Sequence, residues 1–83
     1  MSAYLLFRSV TYAYRAVLVL QRAGIPAQIV RTREGMSSHG CSHALRLAER
    51  FLQAALRALE TSGMDWERVF RVYPDGRFAE VEV

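Results

Sequence analysis

The sequence predicts a small α+β domain. Three observations carry that expectation: apolar runs of strand length separated by turn residues, two stretches with helical spacing that each close on a glycine, and a terminal pair of short runs around Pro74-Asp75-Gly76. The element order they spell out is βαβ, a loop, an α-helix with a possible strand before it, and ββ.

"AYLLFR" is the first apolar run, too short for a helix and suited to a strand. Ser9 or Thr11 can cap the helix that follows, and "TYAYRAVLVLQRAG" ends at Gly24, the residue type favoured just past a helix C-terminus. Ala13, Ala16, Val17, Leu20 and Ala23 are spaced for one buried face, while Leu18 and Val19 fall near Arg15 and Arg22 on the other side. "IPAQIVRT" reads as a second strand whose Pro26 suits its beginning or a sheet edge, because proline has no amide to donate.

The loop "REGMSSHGCS" comes next, polar and without periodicity. "HALRL" is then ambiguous: propensity lets a helix run from Ser42 to Thr61, whereas alternation makes His43–Leu47 a third strand. From about Glu49 a helix is expected in either case, with Leu52, Ala55, Leu56 and Leu59 inward and Glu49, Gln53, Arg57 and Glu60 outward, stopped by Gly63. "RVFRVY" is a fourth strand, "PDG" a turn, and "RFAEVEV" alternates cleanly enough to complete a hairpin.

All 83 residues are expected to form one domain, 1–83, since no linker, repeat or low-complexity tract interrupts them. With 52% hydrophobic and 23% charged residues the chain is globular rather than disordered. A domain of this size hides only about two-thirds of its unfolded surface. Its apolar surplus therefore points to a homo-oligomer. No secretory leader and no membrane-length apolar run is evident, and a single cysteine forms no internal disulfide, so a reduced, cytoplasmic setting is expected.

The net charge is +3 and every basic residue is arginine, eleven in all, dispersed with no basic run or aromatic-interleaved basic stripe. That pattern does not point to nucleic acid, nor to a membrane. A Gly-rich phosphate loop, a serine-nucleophile elbow and paired carboxylates in a plausible cleft are all lacking from the sequence, and no cofactor is expected.

What remains is Cys41, the only cysteine, set among small polar residues with His39 and His43 two positions away on either side. A lone cytosolic cysteine is ordinarily a small buried hydrophobe. Polar flanks in an aperiodic loop argue instead for an accessible thiol. His39, Cys41 and His43 also alternate, so on an extended segment they share a face, and imidazole with thiolate suits zinc or copper. Strand spacing would keep these neighbours about 6–7 Å apart unless the loop curls. A third alternative is a non-catalytic interaction module that uses its sheet or helix surface.

Several residues in order resemble a known family: Phe7-x-Ser9-x-x-x-Ala13 at the first strand-to-helix junction, "AGIPAQIVRT" after the helix, then Arg33, the Ser37-Ser38 pair, Cys41 and "ALRL". Together they resemble the small family called putative selenium/sulfur carrier protein-like, over roughly Tyr4 to Tyr73. Two positions depart from its pattern. Thr32 stands where the family tends to have proline, and Ser42 follows the cysteine where the family tends to have glycine, with Gly40 preceding it instead.

The resemblance implies that "HALRL" is a strand and that the fold is a ferredoxin-like sandwich, βαββαβ, with an extra C-terminal hairpin strand. It also implies a carrier of sulfur or selenium on Cys41, working with donor and acceptor proteins rather than turning over a small substrate. Such chemistry needs a thiolate whose pKa lies below the free value of about 8.5. Arg33 and Arg46 can stabilise the anion, His39 and His43 can supply charge or a proton, and backbone amides from Ser37 and Ser38 to Ser42 can form an anion nest. Were Ser42 to open a helix, Cys41 would sit at its positive end, with the same effect on the thiol.

Overall fold

The computed structural model of the chain describes residues 1–36 and 43–82. Its elements are β1 (Ser2–Leu6), α1 (Val10–Arg22), β2 (Gln28–Arg31), β3 (His43–Ala48), a single 3-10 turn (Glu49–Phe51), α2 (Leu52–Thr61), β4 (Arg68–Val72) and β5 (Phe78–Val81). The strands form one antiparallel sheet in the order β2-β3-β1-β4-β5. Its first four positions have the ferredoxin-like strand order, and β5 is added along the outer edge of β4.

α1 begins where the sequence places its cap. Ser9 has extended backbone and its Oγ accepts the Tyr12 N–H at 3.4 Å, while Thr11 lies within the helix. At the far end Gly24 adopts φ +78°, and Ile25 N–H donates back to the Leu20 carbonyl at 2.8 Å. The buried face of α1 is Ala13, Ala16 and Leu20. Two expectations for this helix are corrected. Ala23 is exposed because it is the C-cap, and Val19 is half-buried because α2 lies alongside, lining the seam with Ala54 and Ala58.

"HALRL" is a strand. Leu45 pairs with Leu5 of β1 on one side and Ile29 of β2 on the other, so the segment is an inner strand of the sheet. The helix after it begins with the 3-10 turn and presents Leu52, Ala55, Leu56 and Leu59 inward, as the spacing predicts. Among the described residues, no helix is long and apolar enough to cross a membrane.

Alternation along the strands divides the apolar residues between two faces. Ala3, Leu5, Phe7, Leu45, Leu47 and Val69 lie under the helices with the residues of α1 and α2. The opposite face carries a second cluster of Leu6, Ala44, Phe70 and Val72, flanked by Tyr4, Val30 and Phe78. Among the described residues, no helix covers this face. Its central plug is Met36, completely buried although it comes from the loop after β2.

Candidate functional site

The cysteine-bearing loop leaves the sheet at the β2 edge, after Arg31, and rejoins it at His43. Ser37, Ser38, His39, Gly40, Cys41 and Ser42 lie outside the described residues. The two ends of the loop are described, and both are fixed. On the return side, β3 pairs immediately: His43 with Arg31, and Ala44 with Val30 and Leu6.

The outgoing stem is held by side-chain contacts rather than by strand pairing. A tight turn closes with Met36 N–H donating to the Arg33 carbonyl at 3.0 Å. Gly35 has φ +92°, a conformation L side chains rarely adopt, and its Cα approaches Phe78 so that a Cβ would lie 3.5 Å from the ring tip. The Arg33 guanidinium carbon is 6.0 Å from the Phe78 ring centre and reaches the β4–β5 turn, where a Cβ added to Gly76 would meet Nη2 at 3.2 Å. Phe78 in turn stacks edge-on against Phe70, with centroids 5.6 Å apart and planes at 82°. The stem therefore leaves one edge strand, β2, and packs against the other, β5.

A single guanidinium completes the anchorage. Arg68 Nη1 donates to the Met36 carbonyl at 3.2 Å, while Nε and Nη2 form a bidentate pair with Glu80 at 3.1 and 2.6 Å. Its plane also lies over Phe70, 4.9 Å from the ring centre. The hydrogen bond from Arg68 holds the Glu80 carboxyl below the ordinary carboxylate range, and the same contact raises the Arg68 pKa. Both backbone polar groups of the buried Met36 are thus satisfied, one by Arg33 and one by Arg68.

The other expected site residues diverge. Arg46 is exposed and sits opposite Tyr4 and Gln28 on the face with Ala44, whereas His43 shares the helix-side face with Leu45 and Leu47. His43 is half-buried and already engaged in an interaction within the fold. The sheet itself stands between these two residues. The alternative metal set of His39, Cys41 and His43 has two members outside the described residues. Among the described residues, no three His, Cys, Asp or Glu side chains gather to hold a metal ion.

Four residues of this site were not anticipated: Met36, Arg68, Phe78 and Glu80. A signal for two of them was available. The Pro74-Asp75-Gly76 turn sets the hairpin register, and that register makes Arg68 and Glu80 diagonal neighbours on one face. Met36 had a fainter one, as the only large apolar residue in a polar loop.

The family model described as putative Se/S carrier protein-like matches residues 2–71. The chain belongs to this family. No curated protein and no solved structure matches the chain. The match of this Se/S carrier-like chain takes in the Cys41 loop and almost all of β4, including Arg68, but stops short of Phe78 and Glu80. The two β5 residues that hold the loop stem thus lie outside the span by which the family is recognised.

Proposed function

We propose that this Se/S carrier-like protein holds sulfur or selenium on Cys41 and passes it between partner proteins. The Cys41 thiolate attacks the terminal sulfur of a donor persulfide. A new S–S bond forms to Cys41 as the donor's own S–S bond breaks, and the donor leaves as a thiolate. An acceptor nucleophile then takes the terminal sulfur and releases the Cys41 thiolate. A selenenyl sulfide exchanges by the same electron count. No net oxidation occurs and no cofactor is consumed.

Within this reading Arg33 favours the anion electrostatically, Ser37, Ser38 and Ser42 contribute amides to a nest around it, and His39 brings charge or a proton; of Arg46 and His43, which the sheet separates, no more than one serves the same sulfur. Family membership over a span that contains the only cysteine carries the proposal. The fixed loop ends support it, since a transfer thiol benefits from a defined position. A reduced, cytoplasmic location is part of the same proposal, because an oxidising compartment would tie up the thiol.

The decisive experiment is intact-mass spectrometry after incubation with a low-molecular-weight persulfide. The mass of one sulfur atom is gained, lost again on adding dithiothreitol, and never gained by Cys41→Ser. A wild-type mass that stays unchanged ends the carrier reading.

Self-association belongs to the proposal as well. Val10, Tyr14 and Leu18, spaced four apart along α1, are 37%, 57% and 54% exposed and form one apolar stripe on its outer side.

A further inference from the structure

We propose that Arg68 and Glu80 are positioning residues for the thiol loop: they form a clamp, completed by β5, that fixes the stem of the loop and thereby tunes the Cys41 thiolate. The inference rests on the carrier reading for its purpose, but its geometry stands apart from it. Arg68 touches three elements at once, with hydrogen bonds to Met36 of the loop and Glu80 of β5 and its plane over Phe70 of β4.

A half-exposed ion pair of this kind contributes little to global stability. Its geometric effect is larger. The bidentate contact to Glu80 fixes the plane of the guanidinium, leaving Nη1 aimed at the Met36 carbonyl. With Met36 plugged into the open face, the chain is held at residue 36 and again at His43, the first pair of β3. Loosening the stem removes one of the two described attachments that flank Cys41 in the sequence.

β4–β5 offers an internal control. Arg71 lies on the same strand, three residues from Arg68, and also pairs with a glutamate, Glu49. That pair is on the helix-side face, since Arg71 is registered with Ala3, and it does not involve the loop stem.

The test is the rate of Cys41 alkylation by iodoacetamide against pH, measured on the wild type, Arg68→Gln, Arg68→Lys, Glu80→Gln and Arg71→Gln, with thermal unfolding of each. Arg68→Gln and Glu80→Gln are expected to move the ionisation midpoint upward by about one unit, which is roughly tenfold less thiolate at neutral pH. Arg68→Lys recovers only part of this, because an ammonium cannot serve the carboxylate and the carbonyl in one plane. Arg71→Gln keeps the wild-type profile.

Wild-type profiles in both Arg68→Gln and Glu80→Gln overturn the clamp, as does an equal shift in Arg71→Gln. Glu80→Gln changes an exposed side chain by one atom, so it keeps the test open should Arg68→Gln fold poorly. A wild type that gains no sulfur while the clamp variants still shift their alkylation profiles removes the carrier reading and leaves the clamp standing.

Discussion

Arg68 donates to the carbonyl of Met36 at 3.2 Å, although the two residues are separated by 32 positions in sequence. This contact joins a strand to the base of the loop that contains the only cysteine, and it ties the loop stem to the packing of the sheet. Met36 is the apolar half of the same attachment.

Truncating that plug is expected to be costly. Met36 is fully buried against Leu6, Ala44, Phe70 and Val72, so Met36→Ala should lose about 2–5 kcal/mol through lost burial and the cavity left behind. Urea unfolding monitored by circular dichroism measures this. A loss under about 0.5 kcal/mol, the range of ordinary surface substitutions, would show that the open face does not depend on the loop stem.

Gly76 has two reasons to stay glycine. Its φ is +93°, and a Cβ there would press against the Arg33 guanidinium at 3.2 Å. Gly76→Ala should therefore destabilise by about 1–3 kcal/mol, and replacing Arg33 with Ala in the same background should relieve the steric share but not the backbone share. A double-mutant cycle on unfolding free energies separates the two; strict additivity would remove the contact from the account.

The pH dependence of the Arg68–Glu80 pair has a definite sign. The Glu80 carboxyl is held below its ordinary 4.5, so folding favours its ionised form. Its stabilising effect is complete above the unfolded value and disappears as pH falls through the lower folded one. Arg68 stays charged throughout and adds no titration in that range. Wild-type thermal stability should consequently fall slightly faster than that of Glu80→Gln as pH falls through and below the ordinary carboxylate value, an effect weakened by salt. Parallel curves for the two proteins would contradict it.

Self-association through α1 predicts that Leu18→Glu lowers the sedimentation coefficient toward that of a monomer while leaving the far-ultraviolet circular dichroism spectrum unchanged, with an unfolding midpoint that no longer depends on protein concentration. An unaltered coefficient from an oligomeric wild type would move the contact elsewhere.

Much of this architecture was readable from local pattern. A cap at Ser9 or Thr11 (of which the structure uses Ser9), Gly24 and Gly63 as helix stops and the Pro74-Asp75-Gly76 hairpin each depend on a few adjacent residues. "HALRL" was not decidable from periodicity, because its leucines suit a helical face as well as one side of a strand; pairing with β1 and β2, a non-local effect, decides it. Val19 was misplaced for a related reason: the buried arc of α1 widens wherever α2 touches it. At the candidate site, Arg33 was singled out for a role at the sulfur, and its described contacts are with Phe78 and Gly76. The bond between Arg68 and Met36 had no sequence signature, since nothing at either position announces a partner so far along the chain.

The placement of Phe78 and Glu80 has a consequence for truncation. A fragment cut after residue 71, where the family match stops, keeps Cys41, Met36 and Arg68 but loses both the carboxylate that orients Arg68 and the ring that Arg33 lies over. A fragment trimmed to the recognisable family span is therefore not equivalent to the whole sheet.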